Sequence, residues 1–447
     1  MFKDSRPRKI GLSEWSQQFR LVPDAQIKKF TYYHNSEWGI YLSPPATFMV
    51  YGARELRRLK FDNSLASLRM WGFVFNESER LFRAKQIGKK VVATMGDLGT
   101  VPVIVMAFPD CVPFYPECIW WTPFFKESTV LLDTATELGI PEATCFSKAT
   151  LAAFYKKAYF PKPDLIFAST GASCDDYSCI MQLVNNLGYE MTWLEIPYRT
   201  ARSRQAEGYL ISEYERIWNK MSELTGTDNK ARLIKSLKKA NRLRILVERI
   251  KKLTYESPIA PLPGFELMTI EFGNLYGYAD FDEWIDILEM VYETVEKRVK
   301  QGIGVLKADA IPIAWITPSA DPLLLNLVED FGLRIVETEY VINQALVAIE
   351  EDIEPFRALA RSFLQASLIG STQERIKKIT EGVKAKRIAG VLITNMIGAS
   401  HCAMETRLME KMLSDVPVLS IDVPAPFGIT EQLKTRIAAF AETLRNK

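Results

Sequence analysis

The stretch PDLIFASTGASCDDYSCIMQLVNNLG, residues 163 to 188, joins an apolar run to a helical pattern through a turn of small residues. Its first part, PDLIFAST, predicts a buried strand, and CIMQLVNNLG, residues 179 to 188, predicts a helix. A strand that leads through such a turn into a helix is the unit from which parallel α/β sheets are built. Because ligands of these sheets usually sit at the carboxyl ends of the strands, Cys174 in the turn is a candidate site residue.

The same alternation of strands and helices continues on both sides of this stretch. Apolar runs bounded by turn residues predict strands, and apolar positions three or four residues apart predict helices. Such alternation is typical of a parallel sheet in a doubly wound domain. The further predicted strands are 88–96, 191–199, 311–318, 333–340, 388–395 and 416–424, and the further predicted helices are 125–139, 282–302, 320–332, 373–386, 402–415 and 430–444.

A chain of 447 residues is too long for one ordinary hydrophobic core. The alternation falls into two blocks, so we predict an α/β fold with two doubly wound parallel-sheet domains, at residues 86–206 and 261–447. Residues 1–85 mix aromatic and basic residues and are interpreted as a helical and irregular N-terminal extension. Residues 207–260 are predicted to form a helical connector, with two helices interrupted at Gly226.

The composition limits the possible partners. Hydrophobic content of 48% and charged content of 25% are typical of a soluble globular protein, and a net charge of +2 does not indicate a nucleic-acid partner. The Lys and Arg residues in the second half of 207–253 are interpreted as a solvated helix face, with a phosphate-binding surface as the alternative. Neither a signal-peptide core nor an uninterrupted apolar run of roughly 18 residues is present, so we expect a cytoplasmic protein with no membrane partner.

In a reducing cytosol the six cysteines indicate buried thiols, reactive thiols or metal ligands, not disulfides. Cys402 follows the predicted strand 388–395 as Cys174 follows its own strand, and Cys145 lies between a proline turn and a predicted helix. The helix dipole favours a thiolate at such a position. Three cysteines of this kind fit a cradle for an iron–sulfur cluster between two domains. Their long spacing is not a ferredoxin pattern, so inert buried thiols remain the alternative.

Most of the chain beyond residue 88 resembles the family of benzoyl-CoA reductase and (R)-2-hydroxyacyl-CoA dehydratase subunits. The order of the similar stretches and the long spacing of the cysteines carry the resemblance. These stretches are 88–117, 165–199, 297–318 and 388–444.

The resemblance implies a low-potential 4Fe-4S cluster bound by three cysteines, with one iron open to a small ligand or substrate. By position these ligands correspond to Cys145, Cys174 and Cys402. It also implies two α/β domains with a helical part, in agreement with the predicted alternation. The partners that it implies are a homologous second cluster-binding subunit, an ATP-hydrolysing activator with its own bridging cluster, and ferredoxin as electron source, with an acyl-CoA as substrate.

Segments 88–108 and 195–199 look more like the reductase branch of this family. We therefore expect the cluster-binding subunit of an ATP-dependent, ferredoxin-driven benzoyl-CoA reductase, which reduces the aromatic ring of its substrate. One alternative is a subunit of an (R)-2-hydroxyacyl-CoA dehydratase that works through a ketyl radical. The others are a non-catalytic partner subunit and a double-cubane reductase of the same family.

The chain has only two histidines, His34 and His401, which are too few for a His-rich zinc site. His401 lies beside Cys402 and is the candidate catalytic residue, as a proton donor or a hydrogen-bond donor to cluster sulfur, with a structural histidine as the alternative. Asp175 and Asp176 are interpreted as helix N-terminal residues that the dipole stabilises, with acids near the site as the alternative.

Other candidates have both a functional and a structural interpretation. Tyr198 and Arg199 follow a strand end, where Arg199 would meet a CoA phosphate or form a surface salt bridge. Trp120 and Trp121 are interpreted as packing aromatics, with a stacking platform for an acyl or adenine group as the alternative.

Three cysteines lie outside the ligand set that the resemblance implies. Cys111 and Cys118 flank the loop VPFYPE and are interpreted as structural, and Cys179 is interpreted as a packed thiol one helical turn beyond Cys174. The alternative for these cysteines is that they help to hold a second, bridged cubane cluster. For Cys179 a further alternative is that it contacts the cluster ligands without binding the cluster itself.

Overall fold

The structure is a computed structural model of the chain. None of its described helices is both long and apolar enough to cross a bilayer. The predicted connector boundaries at residues 206 and 260 and the boundary at residue 85 stay predictions. The described residues are 6–20, 58–75, 77–117, 127–157, 159–171, 174–197, 204–316, 322–339, 341–386, 388–399, 405–423 and 429–446.

Two short antiparallel strands, β1 (Lys9–Gly11) and β2 (Lys60–Asp62), precede the first parallel sheet. Trp15 on helix α1 (Leu12–Arg20) stacks on Phe61 of β2 with ring centroids 5.6 Å apart, and both side chains are buried in the main core. The region predicted as a helical and irregular extension therefore contains a strand pair, and four of its described aromatic residues, Trp15, Phe61, Trp71 and Phe73, belong to the core.

The first parallel sheet has four strands in the order β4–β3–β5–β6. Alternate residues of β3 face two different apolar cores, since Val92 lies in one and Val91 in the other. Burial on both faces explains the continuous apolar runs in these strands. The strands are β3 (Lys90–Met95), β4 (Cys111–Phe114), β5 (Leu165–Gly171) and β6 (Met191–Ile196). The helices before and between them are α2 (Leu65–Phe75), α3 (Glu77–Gln86), α4 (Val101–Met106), α5 (Glu127–Glu137), α6 (Lys148–Lys156) and α7 (Asp175–Asn185).

The connector consists of two long helices, α8 (Arg204–Thr225) and α9 (Ala231–Glu256), as predicted. Gly226 ends the first of them with φ +68°, a left-handed backbone conformation that favours glycine. A third helix, α10 (Gly264–Tyr276), follows, and no helix was predicted for it from the sequence. All of its residues are buried, so it shows no amphipathic pattern by which it could be recognised.

The second parallel sheet has the order β8–β7–β9–β10. Its strands are parallel, and each pairs along its length with its neighbours. The strands are β7 (Ile311–Ile316), β8 (Leu333–Glu339), β9 (Gly390–Met396) and β10 (Val418–Val423). The helices around it are α11 (Phe281–Gln301), α12 (Pro322–Asp330), α13 (Pro355–Leu364), α14 (Thr372–Ala385), α15 (Thr406–Met412) and α16 (Glu431–Arg445).

The two sheets share one topology. In each, the first strand along the chain lies between the second and the third, and the fourth lies outside the third. This order creates a switch point beside the first strand, where ligands of doubly wound sheets bind. The predicted fold class, two doubly wound α/β domains, is confirmed. Strands β5 and β9, which precede Cys174 and Cys402, occupy the same place in their sheets.

A buried arginine of the connector joins the two sheets. Arg244 of α9 donates hydrogen bonds to the carbonyl of Gly99, after β3, and to the carbonyl of Val347, after β8, both at 3.0 Å. Gly99 has φ +86°, and a Cβ there would lie 3.1 Å from the Cβ of Ala345. The loop after β3 therefore packs directly against residues of the second half of the chain.

Candidate functional site

Cys174 is the N-cap residue of α7 and lies three residues beyond the end of β5 at Gly171. Its backbone is extended, with φ −170° and ψ 116°, and its carbonyl accepts hydrogen bonds from the N–H and the hydroxyl of Ser178, both at 3.2 Å. The thiol is partly exposed. The N–H groups of Asp176 and Tyr177, which have no partner within the helix because they lie in its first turn, donate hydrogen bonds to the Cys174 sulfur. The predicted position at a strand end and helix start is confirmed.

Cys145 lies in the loop between α5 and α6, and its side chain is buried. Burial raises the pKa of the Cys145 thiol, and hydrogen bonds from the N–H and hydroxyl of Ser147 and the N–H of Phe146 offset part of this shift. That hydroxyl is buried and has no conventional hydrogen-bond partner among the described residues. Donors gathered around a sulfur suit a sulfur that carries negative charge.

Cys145 and Cys174 are close enough for their charges to interact. Burial, and to a smaller extent a charge on Cys145, raises the pKa of the Cys174 thiol to about 12. Burial also raises the pKa of Cys145. Sequence analysis expected the helix start to favour a thiolate, but here burial outweighs the dipole. The free thiols are therefore protonated, and a metal that binds them must release their protons.

The turn after β9 touches the Cys145 loop through a glycine. Gly398 has φ +87°, and a Cβ there would lie 2.3 Å from the carbonyl oxygen of Ala143 and 2.6 Å from the backbone nitrogen of Cys145. Met396 and Ala399, on either side of Gly398, share an apolar cluster with Cys145. The turn after β9 of the second sheet therefore packs against the loop that carries Cys145.

The predicted residues His401 and Cys402 lie outside the described residues, which stop at Ala399 and resume at Glu405. Among the described residues no three His, Cys, Asp or Glu side chains converge as metal ligands. Two thiols with surrounding N–H donors nevertheless fit an iron–sulfur cluster, whose ligands are thiolates and whose sulfurs accept hydrogen bonds. The cluster ligand set stays a prediction.

The remaining cysteines in the described part of the chain are unlike this pair. Cys111 begins β4 and is buried, and burial raises the pKa of its thiol to about 12, in keeping with its structural interpretation. Cys179 lies on α7 and is exposed, so its interpretation as a packed thiol is wrong. Its place on the helix turns it away from the core that holds its neighbours Ser178 and Ile180.

Asp175 and Asp176 occupy the first turn of α7, where their charges complement the helix dipole, as interpreted from the sequence. Burial raises the pKa of Asp176, and the charge on Asp175 adds to this effect. The other predicted candidates lie outside the described residues. They are Cys118, Trp120, Trp121, Tyr198 and Arg199.

The loop after β3 holds a buried polar network that sequence analysis did not identify. The Asp97 carboxylate accepts hydrogen bonds from the N–H groups of Thr100 (2.9 Å) and Val101 (2.7 Å) and from the hydroxyl of Tyr115 (2.8 Å). These donors fix the start of α4 at the carboxyl edge of the sheet. An Asp between two glycines directly after a strand, in GDLG at 96–99, was the available signal.

Glu117, two residues beyond Tyr115, is a second buried carboxyl group at this edge. Glu117 is only 6% exposed, and its Oε2 has no hydrogen-bond partner among the described residues. Burial raises its pKa well above the usual range, and the nearby charge of Asp97 adds to the shift. Burial also raises the pKa of Asp97, but its three hydrogen bonds oppose that shift, so Asp97 gives up its proton more readily than Glu117 does.

Replacing Glu117 by glutamine should change the pH dependence of stability. In the unfolded chain this carboxyl loses its proton near its ordinary pKa of 4.5, whereas the folded protein retains the proton to higher pH. The native state then binds more protons, so this group makes stability fall as pH rises above that value. Glu117→Gln should remove this fall and be relatively more stable at about pH 8 than at about pH 5. Urea unfolding of the wild type and of Glu117→Gln at both pH values measures the free energy of unfolding. If the change in stability between the two pH values were the same in both proteins, the buried protonated carboxyl would be contradicted.

No curated protein matches the chain. The family described as 2-hydroxyglutaryl-CoA dehydratase, D-component, matches residues 99–444, a range that includes both parallel sheets apart from β3 and all three predicted ligand cysteines. The chain therefore belongs to the 2-hydroxyglutaryl-CoA dehydratase D-component family.

Proposed function

We propose that the chain is the cluster-binding subunit of an enzyme that acts on an acyl-CoA thioester, with a 4Fe-4S cluster held by Cys145, Cys174 and Cys402. The observation that carries the proposal is the packing of the Gly398 turn against the Cys145 loop, beside Cys174. Two thiols and the segment that leads to the third cysteine thus meet at equivalent strand ends of two sheets. Sulfur ligands from separate loops suit a cluster that retains an open iron.

A bound cluster of this type supplies low-potential electrons and, at its open iron, a coordination position. The chain contributes an environment for that chemistry. Phe146, Met396 and Ala399 are buried apolar residues that keep water from the Cys145 side. Backbone N–H groups at Cys145 and Cys174 hold negative charge on the sulfurs without mobile counter-ions. His401, beside Cys402, is our candidate for a proton donor at the site.

Within this proposal the first candidate is an ATP-dependent, ferredoxin-driven benzoyl-CoA reductase, which the sequence of 88–108 and 195–199 favours. The family match gives weight to a second candidate, an (R)-2-hydroxyacyl-CoA dehydratase subunit. Both need a homologous second subunit and an ATP-hydrolysing activator. They differ in electron use, because ring reduction consumes electrons whereas elimination returns the electron after each turnover.

The test is the consumption of reductant per product. The protein is purified without oxygen together with its partner subunit and activator, and is given ATP, a measured amount of reductant, and benzoyl-CoA or a 2-hydroxyacyl-CoA. Reductant consumed in proportion to product identifies the reductase, and product formed in large excess over reductant identifies the dehydratase. Turnover that persists when this chain lacks iron would assign the cluster chemistry to the partner and refute the proposal.

A further inference from the structure

One buried cation beside the cysteine pair lacks a counter-ion among the described residues. Lys148 is the first residue of α6 and is 1% exposed. Its Nζ donates hydrogen bonds to the carbonyl oxygens of Glu142 (2.7 Å) and Pro141 (3.2 Å), in the loop that carries Cys145. Among the described residues no carboxylate lies within ion-pair distance of it. Burial lowers its pKa, while the charges of Glu142 and Cys145 act to raise it.

Other shielded ammonium groups of this chain reach carboxylates. Lys251 lies 3.2 Å from Glu271, and Lys9 lies 3.1 Å from Glu329. Such pairing is the rule, because a charge transferred from water to a protein interior is costly unless an opposite charge or several dipoles compensate it. In the described part of the chain, Lys148 has two carbonyl dipoles for this purpose and no carboxylate.

The position of Lys148 within its helix makes the cost larger. The N-terminal end of a helix carries partial positive charge, so a cation in the first turn is on the unfavourable end of α6. Arg334, which is also buried and has no carboxylate partner in the described ranges, illustrates the opposite case. It donates to the carbonyls of Thr254 and Ser257, at the carboxyl end of α9, where the helix dipole favours a cation.

An anion at the Cys145 sulfur would supply what is missing. Lys148 lies three residues beyond Cys145 and donates its backbone N–H to the Cys145 carbonyl (3.1 Å), and a charge on the Cys145 sulfur acts on the Lys148 ammonium. We propose that Lys148 is the counter-charge of the thiolate-bound cluster anchored at Cys145, and that it makes reduction of that cluster more favourable. This inference rests on the proposed function. When one electron arrives from the activator, Lys148 keeps its protons, so no bond forms or breaks at its nitrogen.

The test compares Lys148→Gln with Lys148→Arg in the iron-loaded full chain. Glutamine removes the charge but keeps an N–H donor for the loop carbonyls, whereas arginine keeps the charge. An EPR-monitored redox titration should show reduction at least tenfold less favourable in Lys148→Gln, a midpoint about 59 mV more negative for a one-electron couple. Lys148→Arg should remain near wild type. Lys156→Gln, at the exposed end of the same helix, is the matched control and should also leave the midpoint unchanged.

A midpoint that is unchanged in Lys148→Gln at full iron content would overturn the proposal. Thermal unfolding of the metal-free variants distinguishes a purely structural role. If Lys148→Gln fails to fold without metal while Lys148→Arg folds, Lys148 serves the loop itself and the proposal is wrong. Failure of the proposed function is visible separately, since the wild-type chain would then hold no iron before any variant is compared.

Discussion

Replacing Cys174 by serine is expected to leave the chain without its iron. A wild-type preparation should hold about four irons and four sulfides per chain, and Cys174→Ser should lose most of both, together with the EPR signal of the reduced cluster. The substitution should cost the fold little, because Cys174 is the N-cap of α7 and serine is a preferred N-cap residue. Anaerobic iron and sulfide analysis measures the loss.

Cys179→Ser is the matched control for this experiment. Cys179 lies on the same helix and is exposed, so its replacement should leave iron content and spectrum unchanged. Equal iron loss in both variants would point to damage to α7 and not to a lost ligand. Full iron content in Cys174→Ser would remove Cys174 from the ligand set, and with it the central element of the proposed site.

Replacing Gly398 by alanine is expected to separate the two parts of the site. The new Cβ would meet the backbone of Ala143 and Cys145 at 2.3 to 2.6 Å, and backbone cannot turn aside as a flexible side chain can. Left-handed backbone at an alanine costs ~1–2 kcal/mol, and the forced displacement adds roughly 1–3 kcal/mol. Urea unfolding should show a loss of stability of that summed size, and iron content should fall.

Gly88→Ala separates the backbone term from the contact term. Gly88 has φ +84°, close to the value at Gly398, but a Cβ there would meet nothing within 4 Å. It should therefore show only the ~1–2 kcal/mol of backbone strain and keep its iron. If the two alanine variants were equally stable and equally loaded with iron, the turn after β9 would not press on the Cys145 loop as described.

Most strands and helices could be predicted because both sheets are buried on two faces and their strands read as uninterrupted apolar runs. Strand β4 was missed because Pro113 interrupts it, and a proline is tolerated there only because β4 is at the edge of its sheet. Helix α10 was missed for the opposite reason. It is buried on all sides, so its sequence has no amphipathic pattern. Gly273 also lets Trp284 lie against the helix backbone, and this contact cannot be read from the spacing of apolar residues.

The candidate site divides in the same way. Strand ends and helix starts are readable in sequence, and they gave the positions of Cys145 and Cys174. The contact of the left-handed turn at Gly398 with the Cys145 loop, in contrast, is visible only in the three-dimensional packing. Lys148 and Glu117 were missed because an isolated Lys or Glu carries no pattern, and burial alone makes each of them unusual.

Arg244 has a consequence for the kind of chemistry that this scaffold suits. Its guanidinium also donates to the carbonyl of Ala240 (3.0 Å) and to the hydroxyl of Tyr278 (3.3 Å), so it bonds four separate acceptors at once. Sliding the loop after β3 past the segment after β8 would break at least one of the bonds from this buried guanidinium to Gly99 and Val347, which is opposed because the charge would lose part of its compensation. A fixed contact of this kind limits how far the surrounding protein must rearrange during electron transfer. In the proposed reaction the dipoles around the site would therefore already be in place when the electron arrives.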